Sequence, residues 1–153
     1  MIQRIQSIYL LIAVAIMCLM CFVPLVTFSI GDGYYLLTAL GYSLVNIAPL
    51  SESVFPYGVF ALTVLAIVIT FVSILKFKNR KLQLKWCMAS IVVHFLYYGA
   101  VIAYSLSFAN KIQSEFTPNW TLALPFCSLI VFLLARKNIK KDEALVRAAD
   151  RIR

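Results

Sequence analysis

One long apolar stretch of the chain carries polar side chains at helical spacing. This polar stripe consists of Ser90, His94, Tyr97 and Tyr104, with Ser105 beside Tyr104. Residues three or four apart share one face of a helix, and a polar side chain that faces lipid is costly. We therefore expect the polar stripe to face into a bundle of helices. His94 has the chemistry of a proton relay or a cofactor ligand. The simpler interpretation, which we favour, is a neutral ring bonded to a Ser, a Tyr or a backbone carbonyl of a neighbouring helix.

A second chemical candidate is the C-x-x-C pair formed by Cys18 and Cys21. On a helix these two residues share a face, and their spacing is the dithiol spacing of redox enzymes. The other cysteines, Cys87 and Cys127, also fall in apolar stretches, and the expected outer loops contain none. We therefore favour free thiols that pack as small apolar residues. One histidine and scattered cysteines predict no metal site, no haem and no other cofactor.

The elements that must position these residues are apolar helices. Four stretches lack Asp, Glu, Lys and Arg, and each is long enough to cross about 30 Å of hydrocarbon as a helix. They are Ile5–Gly31, Ser53–Leu75, Trp86–Asn110 and Phe116–Ala135. The chain is 63% hydrophobic and its mean hydropathy is +0.92, which exceeds what a soluble core needs.

The sequence therefore predicts an all-α fold, an antiparallel four-helix transmembrane bundle. The four spans are expected at about 7–29, 56–75, 84–108 and 118–135 and make up a membrane domain at 1–135. Residues 136–153 are expected to form a basic cytoplasmic helical tail, either an extension of the fourth helix or a helix that lies on the membrane. The longer outer connection, 30–55, is too aromatic for a solvated loop. It is expected to form a short hairpin or to lie in the membrane interface.

The expected spans place nearly all of the basic residues on one side of the membrane. With a cytoplasmic N-terminus, 13 of the 14 Lys and Arg residues lie in inside segments and only Lys111 lies outside. Because the Lys/Arg bias of short loops sets orientation, both termini are expected in the cytoplasm. The net charge of +8 then reflects topology rather than nucleic-acid binding. No span carries the ionised group that ion-coupled transport usually needs. A small transporter or channel lined by His94 and Tyr97 is therefore only an alternative.

The tail carries acids and a small apolar face among its bases, which simple lipid binding does not require. We therefore expect it to dock a partner, together with the N-terminus, because both ends emerge on the same side. The expected docking residues are Arg4, Arg147, Asp150, Arg151 and Arg153. The candidate partners are the bilayer itself, anionic lipids at the cytoplasmic face, an acidic cytoplasmic protein and a second copy of the chain.

Both ends of the chain also carry a family resemblance. The opening Met1–Ser7 and the ending Lys141–Arg153 resemble a bacterial family of small four-span membrane proteins, a domain of unknown function, family 4293. The resemblance implies an inner-membrane location and supplies no activity, so no catalytic residue is carried over from it. Our leading hypothesis is a non-enzymatic scaffold or modulator. The main alternative is a membrane thiol-redox or proton-handling enzyme that uses Cys18, Cys21 and His94.

Overall fold

A computed structural model describes residues 2–45, 55–77 and 79–151, with side chains for 7–43, 45, 55–77 and 79–145. The described chain is mostly helical and includes a small sheet. In chain order its elements are α1 (Ile2–Leu19), β1 (Val26–Ile30), β2 (Gly33–Thr38), β3 (Gly41–Val45), α2 (Tyr57–Leu75), α3 (Arg80–Ile112), β4 (Phe116–Pro118), a 3₁₀ turn (Trp120–Leu122) and α4 (Ala123–Arg151).

Several helices are compatible with a membrane. Among the described residues, three segments are long and apolar enough to cross one: Tyr57–Leu75, Arg80–Ile112 and Trp120–Leu145. The apolar part of α1, Ser7–Leu19, is shorter. The longest helix is α3, at about 50 Å for its 33 residues. The side chain of Asn79 caps its start by accepting a hydrogen bond from the Leu82 N–H at 3.2 Å.

The first helix is shorter than the sequence predicts. A span to about residue 29 was expected, but α1 ends at Leu19 and β1 begins at Val26. Pro24 explains the break, because proline has no N–H for the helical ladder and disfavours helical backbone in the residue before it. The β-branched residues Val26 and Thr27 then favour extended backbone.

The all-α prediction is therefore wrong for this part of the chain. The four strands form one antiparallel sheet in the order β3-β2-β1-β4. The expected hairpin within 30–55 is present as β2 and β3, and β1 and β4 extend it. Gly31, with φ +54°, adopts the left-handed backbone of the turn between β1 and β2.

The sheet packs on α3 through an aromatic cluster centred on Phe108. The ring of Phe108 stacks on Tyr42 at 4.1 Å between centroids. It meets Phe28 edge-on at 4.9 Å and Tyr35 at 5.6 Å. Phe108 is only 4% exposed. These rings attach the sheet to the α3 end that contains Ile112.

The helices pack side by side, α1 and α3 each contacting both α2 and α4. Ser128 of α4 lies 3.8 Å from the Met17 sulfur, and Leu10 and Ala13 share a buried cluster with Ala135 and Ile139. This order makes α1 and α4 antiparallel. The molecule thus has two ends. One is the sheet end. The other is here called the turn end: α1 begins there, α2 ends and α3 begins on either side of the short connection between Leu75 and Arg80, and α4 ends there.

Candidate functional site

His94 lies in the middle of the packed helices and has no exposed surface. Its Nδ1 lies 2.7 Å from the Ser90 carbonyl oxygen, one turn earlier on α3. Its Nε2 lies 2.7 Å from the Ser128 hydroxyl of α4. The imidazole and the Phe132 ring form a T-shaped pair with their centroids 5.2 Å apart. As the polar stripe predicts, His94 faces a neighbouring helix.

The partners of His94 determine how its protons are arranged. A carbonyl oxygen only accepts, so Nδ1 is the nitrogen that donates to Ser90. In the neutral ring Nε2 then accepts the hydroxyl proton of Ser128. That hydroxyl also lies 2.7 Å from the Pro125 carbonyl oxygen, and its single proton serves one acceptor at a time. Both ring nitrogens are therefore hydrogen-bonded, and the bond to Ser128 links α3 to α4.

Of the other residues in and beside the polar stripe, Ser90, Tyr97 and Ser105 are buried and Tyr104 is half-buried. Among the described residues, the side chains of these four make no hydrogen bond to His94. The hydroxyls of Ser90, Tyr97 and Ser105 are buried with no hydrogen-bond partner among the described residues. Tyr104 instead accepts the N–H of Gly58 at 3.1 Å. A Cβ on Gly58 would lie 2.8 Å from the Tyr104 ring, so this glycine permits close approach of α2 to α3. The polar stripe therefore contributes to helix packing at several separate points.

The four cysteines are free thiols in different environments. Cys18 is exposed at the end of α1, and Cys21 lies in the following turn with its thiol 3.9 Å from the Met17 carbonyl oxygen. The expected shared helix face is interrupted, because α1 ends between them at Leu19. Cys87 is buried with its sulfur 3.4 Å from the Ser73 hydroxyl, a contact between α3 and α2 that sequence reasoning missed. Cys127 is exposed.

At the turn end, α4 continues as one helix through the apolar segment to Arg151, in agreement with an extension of the fourth helix. Ile139 is fully buried and Asp142 is 5% exposed. The guanidinium of Arg80, at the start of α3, donates to the Asp142 carbonyl oxygen at 2.8 Å. The first part of the predicted tail is therefore packed against the other helices.

The predicted docking residues are only partly described. The backbone of Arg4, Arg147, Asp150 and Arg151 is helical, and their side chains lie outside the described set. Arg153 lies outside the described residues altogether. The turn end brings their helices together through the antiparallel packing of α1 and α4.

The sheet end contains a cleft that the sequence did not predict. It has a volume of about 240 Å³ and is lined by Tyr42, Ala103, Tyr104, Ser107, Phe108 and Lys111. All but Tyr42 come from one strip of α3, with Tyr104, Phe108 and Lys111 at helical spacing. That spacing was visible in the sequence. The facing wall was not, because Tyr42 belongs to a strand whose pairing depends on the fold.

Among the described residues, no three His, Cys, Asp or Glu side chains are grouped so that they could hold a metal ion.

Comparisons with known proteins agree with the resemblance noted above. A search of curated proteins finds no match to this sequence. A family model matches residues 2–152, nearly the whole chain. The chain belongs to the family described as Domain of unknown function (DUF4293).

Proposed function

We propose that this protein is a non-enzymatic component of the bacterial inner membrane. It forms a four-helix transmembrane bundle with both termini in the cytoplasm, and it scaffolds or modulates an acidic cytoplasmic partner. The docking residues are those at the two chain ends: Arg4, Arg147, Asp150, Arg151 and Arg153.

The observation that carries this proposal is the separation of charge between the two ends of the molecule. On the described backbone there are 12 basic residues; 11 of them belong to segments at or leading to the turn end, and Lys111 belongs to the sheet end. Lys and Arg favour the cytoplasmic side of a membrane, so the turn end is the cytoplasmic end. A concentrated positive surface attracts anionic lipid and acidic protein.

The length of α4 supports docking over a purely topological role. Met17 is level with Ser128, and equal rise along antiparallel helices makes Ile2 level with residue 143. The residues of α4 after 143, up to Arg151, therefore extend about 12 Å beyond the start of α1. This segment carries Arg147 and Arg151 together with Asp150. A protruding helix of mixed charge is suited to a protein surface, because charges of both signs give specificity.

The test compares two variants that change the net charge equally. The first replaces the four docking arginines by Gln and Asp150 by Asn, which removes four positive charges and one negative charge, a net change of three. The matched control replaces Lys76, Lys81 and Lys85 by Gln, also a net change of three. These lysines are exposed and lie at the same end. The readout is copurification of partners from gently solubilised membranes.

We expect the first variant to lose an acidic protein partner that the lysine control retains. Topology is checked in both variants by labelling from either side of the membrane, because removing positive charge can invert a small membrane protein. If both variants with unchanged topology retain the same partners, the chain ends do not form the docking surface. Equal loss from both would mean that only the total positive charge matters.

A further inference from the structure

We propose that the cleft at the sheet end holds one acyl chain of an anionic phospholipid, with the lipid phosphate at Lys111. This inference relies on the membrane location proposed above and is independent of partner docking at the turn end. It assigns a binding site to residues that the docking proposal does not use.

The shape of the cleft suits a narrow chain. Its α3 wall runs from Ala103 to Lys111, nine residues whose eight helical rises span about 12 Å. Its volume of about 240 Å³ falls below the roughly 300–1,000 Å³ of typical small-molecule pockets. A cleft of this volume along a strip of helix about 12 Å long accommodates part of one hydrocarbon chain better than a compact polar ligand.

The lining combines an apolar wall, which suits an acyl chain, with a lysine at its outer end, which suits a phosphate. A phospholipid carries these two groups in the same order. Phe108 and Tyr42 contribute stacked rings to an apolar wall, which favours burial of hydrocarbon. Lys111 is exposed at the outer end of the strip, where its ammonium attracts a phosphate. The buried hydroxyl of Tyr42 has no hydrogen-bond partner among the described residues. A lipid ester oxygen is the kind of acceptor that this hydroxyl lacks.

The surroundings of the cleft favour entry from the bilayer. Ile102 and Leu106 flank the strip on α3 and are 53% and 49% exposed. Large exposed apolar side chains on a membrane-compatible helix are suited to contact with lipid. An acyl chain can therefore pass sideways from the bilayer into the cleft, while its headgroup stays level with Lys111 near the end of α3.

The test uses the full chain in vesicles that contain a phosphatidylglycerol probe with a photoactivatable group on one acyl chain. A phosphatidylcholine probe with the same chain serves as the zwitterionic comparison. Ser107→Trp fills the cleft, and Leu106→Trp places the same indole side chain beside it. Lys111→Gln removes the proposed phosphate contact, and Lys85→Gln removes an exposed lysine at the other end. Labelled residues are mapped by mass spectrometry.

We expect the phosphatidylglycerol label on the cleft residues, with a several-fold loss in Ser107→Trp and none in Leu106→Trp. Lys111→Gln should lower the preference for phosphatidylglycerol about fivefold, the ratio given by ~1 kcal/mol per basic residue near an anionic surface. Lys85→Gln should leave that preference unchanged. Equal labelling of Ile102 and the cleft, unaffected by Ser107→Trp, would overturn the proposal in favour of general lipid contact. Failure of the chain to float with the vesicles would instead overturn the membrane location itself.

Discussion

The hydrogen bond between His94 and Ser128 should contribute measurably to the packing of α3 against α4. The perturbation is a double-mutant cycle with His94→Ala, Ser128→Ala and the double variant. The His94–Ser128 distance is 2.7 Å and both side chains are fully buried. Hydrogen bonds between helices in membrane proteins average about 0.6 kcal/mol and reach about 1.7 kcal/mol. We expect a coupling free energy near the upper value, about 1–1.7 kcal/mol, because no water competes for either group.

The single substitutions carry further costs. His94→Ala also removes the ring that meets Phe132 edge-on at 5.2 Å and leaves a cavity. We expect a total loss of about 2–5 kcal/mol, the range of other large buried side chains. Reversible unfolding in mixed micelles, followed by far-UV circular dichroism, measures each free energy of unfolding.

The control cycle pairs His94→Ala with Ser107→Ala, an exposed serine on the same helix. Distant substitutions add to within about 0.3–0.5 kcal/mol, so no coupling is expected there. A His94–Ser128 coupling that also lies within that error would refute the packing role. The proton-handling interpretation of His94 would then be the stronger one.

Three further predictions concern the sheet end. Phe108→Ala should lower the free energy of unfolding by about 3–5 kcal/mol and expose the sheet to protease, with a smaller effect for Phe108→Leu; unchanged proteolysis of the Ala variant would contradict the aromatic cluster. Gln113 ends α3 with φ 49°, so Gln113→Gly should stabilise the fold by about 0.5–1 kcal/mol in chemical denaturation, whereas Gln113→Ala should not. Burial, with a smaller contribution from Tyr104, raises the pKa of Tyr42 from 10.0 to about 12. Its contribution to stability is therefore complete below pH 10 and lost as the pH rises to about 12. Tyr42→Phe should weaken this alkaline loss in thermal unfolding; identical alkaline curves would contradict the assignment.

The sequence predicted helices well where hydropathy and charge agree. The expected span at 56–75 corresponds to Tyr57–Leu75. The span at 84–108 lies inside Arg80–Ile112, because a helix does not end where the apolar residues end. Here Asn79 caps one end and the left-handed Gln113 terminates the other. These local signals decide helix bounds more sharply than hydropathy does.

The error in the first span has a physical origin. The segment from Met20 to Ile30 has no charge, so hydropathy treats it like the helix before it. A short apolar run is equally compatible with a buried strand. What decides between them is pairing with residues distant in sequence, as when Phe28 lies opposite Tyr35 and Phe116. One sequence without that pairing information cannot supply the register.

Prediction of the candidate sites was limited in the same way. Helical spacing predicted that His94 faces inward, and the expected kind of partner included a serine on a neighbouring helix. The identity of Ser128 depends on how α4 is rotated and shifted against α3, which spacing on one helix does not determine. The lipid cleft needs both a helix strip and a strand, so only the folded chain shows it.

The packing of α4 determines where a truncation that tests the docking surface should end. A chain ending at Ala135 would lose the fully buried Ile139 and the contact between Arg80 and Asp142. Such a chain would change the packing as well as the surface. Ending the chain at Leu145 keeps these contacts and removes the last eight residues, including Arg147 and Arg151.

The most direct test of the account is in-cell crosslinking and mass spectrometry on the full chain and on the copy ending at Leu145. Both copies keep Lys137, Lys140 and Lys141, so their local reactivity toward an amine crosslinker is matched. We predict that an acidic cytoplasmic protein is captured at these lysines by the full chain and not by the shorter copy. The same capture by both copies, at equal abundance in the membrane, would contradict the central claim that the end of α4 docks a partner.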